Sequence, residues 1–163
     1  IVKVFGLDGQ PFNFVKSSIF LSCETEKCLD REKVDHYEFF IKFSDGSSPN
    51  PVVVSVSDIN DNPPTLSLTE HIIRVSSNRL LNPVAVMISD ADSSSDQSNA
   101  LLLTGDASSF FAVKHVEGGL YDLQLTSSPS NGNYSLTVTV VDTSHPEFPS
   151  QSVEVAIVVQ RGK

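Results

Sequence analysis

Tryptophan is absent from the 163-residue chain, and methionine occurs once. Three tyrosines are a poor substitute for Trp as a platform for sugar rings, which disfavours a carbohydrate-binding face. No apolar run approaches the ~20 residues that a membrane-spanning helix needs. No leader pattern opens the chain, because Ile1 starts directly in a strand-like stretch; the sequence reads as a mature product or an excised fragment. Positive charge is scarce: 11 Lys and Arg stand against 20 Asp and Glu, giving a net charge of −9. That balance argues against nucleic acid, whose phosphates demand a basic face. His36, His71, His115 and His145 are scattered over separate segments with no metal-ligand spacing. A nucleophile elbow, a Gly-rich phosphate loop and an H-E-x-x-H helix are all missing, so nothing points to an enzyme.

The two cysteines, Cys23 and Cys28, lie in LSCETEKCLD. Their spacing suits a small disulfide loop better than a zinc site, and two free thiols in a reducing compartment are the alternative. Asn133-Tyr134-Ser135 is a candidate N-glycosylation sequon. Together these features lean toward the extracellular side.

What is present is period-two alternation of apolar residues, without amphipathic helical runs. HYEFFIKFSD puts Tyr37, Phe39, Ile41 and Phe43 on one face, and PVVVSVS adds Val52, Val54 and Val56. The turn chemistry of DGSSPNP between them predicts a hairpin. After Pro63-Pro64 seven candidate strands follow: LTEHIIRVS, PVAVMIS, ALLLTG, SFFAVKHV, LYDLQLTS, YSLTVTVVD and VEVAIVV, with Gly118-Gly119 as a tight turn between the fourth and fifth. Seven short strands in such a span predict an all-β Greek-key sandwich. The halves end alike: YEFFIKFSD…PVVVSV matches YSLTVTVVD…VEVAIVV, each a strand ending in Asp, a polar loop and a Val-rich strand. This is an internal repeat, with a short first copy (1–63) that lacks its opening strands and a complete second copy (64–163).

Between the copies stands SDINDNPPTL (57–66). Calcium takes six to eight oxygen ligands, and Asp58, Asn60, Asp61 and Asn62 offer them, while the two prolines stiffen the exit. Read alone, such a string could equally be a turn with Asx caps. DINDNPP, however, resembles the inter-repeat linker of the cadherin superfamily. LDRE (29–32) resembles that family's D-R-E motif, and LTEH, with Glu70, its acidic first-strand position. SDADSSSDQSNA (89–100) is similar to its D-x-D loop followed by Asn-Ala. VVD (140–142) and FSD (43–45) resemble its X-D-X motif. Five ordered motifs on a seven-strand pattern are specific, and they cover nearly the whole chain.

The resemblance implies tandem cadherin repeats whose linker binds up to three Ca2+ ions. Asp30 and Glu32 would bridge the first two ions with Asp61. Ile59 would offer its backbone carbonyl to the second, and Asp92 would bridge the second and third. Asn60, Asp90, Asp142 and the carbonyls of Asn62 and Asn99 would complete the third. The six carboxylates of this set would match the charge of three Ca2+ ions and repel one another without metal. A Glu that the family supplies from the first strand of the upstream repeat has no counterpart before Glu24, which leaves the third ion the most secure. By the same logic Glu70 and Asp45 would serve sites shared with further repeats. Yet SSPSNGNYS stands where a second D-R-E would lie, and the chain ends VVQRGK without D-x-N-D-N, so a calcium-free next joint or the end of the array is expected. The implied function is calcium-dependent cell–cell adhesion or recognition, without catalysis, on the extracellular side of a single-pass plasma-membrane protein anchored outside this chain. Its partner would be another cadherin-type ectodomain, homophilic or heterophilic. Without Trp, adhesion by swapping a Trp-bearing N-terminal strand is ruled out for this chain. The rival reading is a calcium-independent β-sandwich module that binds a ligand or carbohydrate.

Overall fold

The computed structural model describes residues 2–23, 28–92 and 99–160. The chain divides into two compact units, residues 1–59 and 60–163. Among the described residues there is no α-helix, only strands and one 3-10 turn, and so no helix long and apolar enough to cross a membrane.

In the first unit, β1 (Lys3–Phe5), β4 (His36–Lys42) and β5 (Asn50–Ser55) form an antiparallel sheet in the order β1-β4-β5. The β4–β5 hairpin is the one the alternation predicts: Tyr37, Phe39 and Ile41 turn inward while their neighbours stay exposed. β2 (Phe12–Val15) and β3 (Ser18–Leu21) make a second hairpin. Its turn residues Lys16 and Ser17 both adopt positive φ, the conformation that matches the twist of a two-residue hairpin loop. Phe12 packs edge-on to Tyr37 with ring centroids 5.2 Å apart, and lies 6.3 Å from Phe39. Phe12 and Phe39 are the fully buried apolar residues among those described in this unit. Cys23 and Cys28 are joined as a disulfide, which decides between the two readings of that pair.

The second unit is a two-sheet sandwich. One sheet has the order β10-β13-β14-β7-β8 and the other β11-β12-β9-β6. The strands are β6 (Thr65–Leu68), β7 (Ile72–Ser76), β8 (Arg79–Leu80), β9 (Val84–Ser89), β10 (Asn99–Thr104), β11 (Phe111–Glu117), β12 (Leu120–Leu125), β13 (Gly132–Asp142) and β14 (Gln151–Gln160). The chain crosses from β9 to β10 in the opposite sheet and returns through β11 and β12 to pair with β9, a Greek-key path. Valine-rich alternation drives the assembly, since β-branched side chains suit a pleated, half-buried surface. Val84, Val86 and Ile88 from one sheet meet Leu136, Val138, Val155 and Ile157 from the other in one core.

Seven strands are expected here, and nine are found among the described residues. LTEHIIRVS is two strands, because the chain changes sheets at Thr69–His71. β6 pairs antiparallel with β9, whereas β7 pairs parallel with β14. Thr69 anchors the corner on both sides: its N–H donates to the Ala85 carbonyl (3.1 Å) and its hydroxyl accepts the Ala85 N–H (3.0 Å). The His71 carbonyl then accepts the Ala156 N–H of β14 (3.0 Å). β8 is a two-residue strand folded back on β7 after Ser77 and Asn78, both at positive φ. The expected turn at Gly118-Gly119 joins β11 to β12, with Glu117 opposite Leu120.

Candidate metal centre

Most of the linker residues and the acids of the second unit meet at one end of its sandwich. β13 carries Asp142 to its last position, and β10 begins with Asn99 directly opposite. β9 leads into Asp90 and Asp92. Asp92 and Asp142 are the buried charged residues among those described, 2% and 5% exposed. A buried carboxylate costs several kcal/mol unless donors or a cation compensate it.

Both acids have donors. Asp142 Oδ1 accepts the Ser144 hydroxyl (2.6 Å), the Ser144 N–H (2.8 Å) and the His145 N–H (3.1 Å), and Oδ2 accepts the Asn60 amide (2.8 Å). Burial pushes this carboxyl up. The Ser144 and Asn60 side chains and the backbone N–H groups outweigh it and hold the pKa at about 2. Asp92 accepts the Asn62 N–H on Oδ2 (2.8 Å) and the Asn62 amide on Oδ1 (2.7 Å). The same amide reaches Asp61 Oδ1 (2.9 Å). Asp90 Oδ1 accepts the Asp92 N–H (3.1 Å), and its Oδ2 accepts the Asn99 amide (3.2 Å). Asp61, Asn62, Asp90, Asp92 and Asn99 are thus joined in one hydrogen-bonded group and Asn60 with Asp142 in another, and the pairing of Asn99 with Asp142 across β10 and β13 sets the two side by side.

Two atoms test whether this cluster suits a hard cation. Asn60 Oδ1 and Asn99 Oδ1 are buried and accept no hydrogen bond among the described residues. Each belongs to an amide whose nitrogen is bound to an acid of the cluster. Carboxylate and amide oxygens are the donors that calcium takes, and a buried acceptor without a donor is costly unless a cation faces it. The residues fit calcium.

The other expected ligands lie in the first unit. Asp30 opens a turn: its carbonyl accepts the Val34 N–H (2.9 Å), its Oδ1 the Lys33 N–H (3.0 Å), and its Oδ2 pairs with Lys33 Nζ (2.6 Å). Arg31 reaches Glu32 (3.6 Å) and Asp58 (3.4 Å). Carboxylate oxygens of Glu32 and Asp58 come within 4.8 Å of one another. The Ile59 side chain is exposed. Asp45 is exposed in an Asx turn with Ser47 (2.9 Å), and Glu70 sits at the sheet-changing corner of the second unit. The loop Ser93–Ser98 lies outside the described residues.

Two participants were not assigned to the site from the sequence. Ser144 and His145 anchor Asp142, and the signal was an Asp followed at two positions by Ser, a local side-chain-to-backbone pattern. Asp58 was noted as an oxygen donor of the linker, but not as the neighbour of Glu32. Asn133 is exposed on β13, opposite Val158, and the Ser135 hydroxyl of its sequon donates to Asp106 (3.2 Å).

Comparison with known proteins bears on the family and the fold. Human protocadherin gamma-A3 is 31% identical over 163 aligned residues that take in 91% of this chain. Human protocadherin Fat 4 is 30% identical over 77% of it. The chain belongs to the cadherin superfamily. It spans only 18% of the length of the first relative and 3% of the second. The protocadherin gammaB7 EC3-6 cis-dimer structure superposes with a TM-score of 0.73 at 21% identity, covering 99% of this chain and 40% of that one, which supports the cadherin-repeat fold. No family model matches the chain.

Proposed function

We propose that this cadherin chain is part of the extracellular portion of a single-pass plasma-membrane protein that acts in calcium-dependent cell adhesion or recognition. The chain would comprise a partial repeat (1–63), which takes in the linker, and a complete one (64–163). The observation that carries the reading is the pair of buried carboxylates, Asp92 and Asp142, at the end of the sandwich where, among the described residues, Asn60 Oδ1 and Asn99 Oδ1 have no donor. Asn60, Asp61, Asn62, Asp90, Asp92, Asn99 and Asp142 would hold calcium, the asparagines at 62 and 99 through their carbonyls. Asp30, Glu32 and the Ile59 carbonyl complete the set that the family pattern implies. Bound Ca2+ would supply the positive charge that this acid-rich end lacks, up to three ions in all. Without it the carboxylates repel and the linker loosens; with it the linker stiffens, and recognition surfaces are presented in a fixed direction. The counterpart would be another cadherin-type ectodomain. A glycan at Asn133 is part of the same reading.

The test is a thermal melt in millimolar calcium and again in excess chelator, on the wild type and on Asp92→Ala. A metal that binds only the folded state stabilises it by about 2.7 kcal/mol at a hundredfold excess over Kd, which is several degrees for a domain of this size. Most of the calcium-dependent rise should vanish in Asp92→Ala. Superimposed wild-type curves would overturn the metal reading and favour a calcium-independent binding module.

A further inference from the structure

The three-stranded sheet of the first unit leaves one face bare. Along β4, Glu38, Phe40 and Lys42 all turn to the exposed side. Register then sets their neighbours: Phe40 lies opposite Phe5 on β1 and opposite Pro51 on β5, and Lys42 lies opposite Lys3. An apolar row thus crosses the sheet. Phe5 is 48% exposed and Phe40 39%, and Val53, opposite Glu38, is 57% exposed. In the second unit the sheet β10-β13-β14-β7-β8 differs along its Leu102 row. Its outward positions Leu102, Thr139 and Ser152 present one apolar chain and two hydroxyls bonded to each other (2.8 Å). Contiguous exposed apolar surface of this kind marks an interaction site.

The charges choose the occupant. Glu38 and Lys42 stand two residues on either side of Phe40, on the same face. Among the described residues neither makes an ion pair, and Lys42 faces a like charge, Lys3, across the sheet, an arrangement that is unfavourable until an acid approaches. A cleft of about 350 Å³ opens between these lysines, Phe5 and Phe43. The pattern Glu–Phe–Lys is complementary to itself when reversed. A two-fold axis at Phe40, lying in the interface and perpendicular to β4, sets Phe40 on its own copy, Glu38 against the second copy's Lys42, and Lys42 against the second copy's Glu38. A parallel overlay would set like charges together. Self-complementarity of one patch is what a two-fold dimer requires.

We infer that the outward face of β1-β4-β5 pairs with the same face of a second copy of this chain. The inference rests on the recognition reading above and names its surface. Strands ~4.8 Å apart and about 10 Å (β1), 23 Å (β4) and 20 Å (β5) long make a face of roughly 250 Å², well under the ~800 Å² per partner of a stable complex. The dimer is therefore weak in solution, and gains strength only where many copies are tethered side by side.

Sedimentation of the whole chain from micromolar to roughly millimolar concentration tests it. The wild type should self-associate at the upper end. Glu38→Lys alone and Lys42→Glu alone should each weaken association roughly tenfold or more, because each sets like charges face to face. Mixing the two variants should restore association as heterodimers, and the double variant Glu38→Lys/Lys42→Glu should restore it in a single species. A wild type that stays monomeric, variants that associate as the wild type does, or a mixture that stays monomeric would each overturn the proposal. The melt with and without calcium is a separate readout. A calcium-stabilised chain that never dimerises sinks this surface alone, and a chain indifferent to calcium that dimerises by charge swap sinks the metal reading alone.

Discussion

Asp142 is a carboxylate buried at the last position of β13 and kept ionised by hydrogen bonds. Its folded pKa, about 2, lies below the ordinary value of 3.8. A depressed folded pKa adds stability that is present above the unfolded value and lost as pH falls through the folded one. In excess chelator the melting temperature should therefore drop as pH is lowered from about 4 toward 2. Asp142→Asn should melt several degrees lower at neutral pH, because its NH2 replaces Oδ2 and meets the hydrogens of the Asn60 amide, while its neutral Oδ1 accepts the Ser144 and His145 donors more weakly than a carboxylate does. The gap between the two proteins should close toward pH 2; a gap of constant size would show that ionisation of Asp142 contributes nothing. The acids of this centre were legible as residues, since D-x-N-D-N, D-x-D and X-D-X strings have a fixed order along the chain. Their anchoring was not. That the Ser144 hydroxyl turns back to Asp142 depends on how the chain bends after β13.

Strands were legible where one face meets the core, because period-two alternation is itself the record of that face. β13 and β14 show it most fully, with Leu136, Val138, Val140, Val155 and Ile157 all completely buried. The alternation is quantitative enough to be tested on adjacent strands of one sheet. Leu136 on β13 points into the core, while Leu102 on β10 points outward and is 49% exposed. Leu136→Ala should cost about 2–5 kcal/mol, the lost transfer energy plus the cavity left behind. Leu102→Ala should stay within about 0.5 kcal/mol. Chemical denaturation of the two variants separates these cases, and comparable losses would mean that the faces of this sheet have been assigned wrongly. The sheet change at Thr69–His71 was not legible. Both β6 and β7 face the same core from opposite sheets, Leu66 and Leu68 at even positions and Ile73 and Val75 at odd ones, and the exposed Ile72 beside Ile73 masks this shift of phase in LTEHIIRVS. Alternation reports which side is buried, not which sheet the strand joins, so one run was read where two strands exist.

At the scale of the whole molecule the two units differ in what holds them. The second, among its described residues, packs 15 buried apolar residues into one core. The first, among its described residues, buries two, Phe12 and Phe39. A small domain whose core is so thin depends on its covalent staple. Cys23 and Cys28 are five residues apart, and closing so short a loop removes roughly 2 kcal/mol of chain entropy from the unfolded state. Calorimetry of the intact chain should therefore resolve two transitions, the lower belonging to the first unit. Phe39→Ala should shift the lower transition and leave the upper one in place, and Leu136→Ala should do the reverse. Reduction of the Cys23–Cys28 disulfide should lower the first transition only. A single transition that moves as one with all three changes would mean that the chain unfolds as one cooperative body. The thin core of the first unit would then draw its stability from the second.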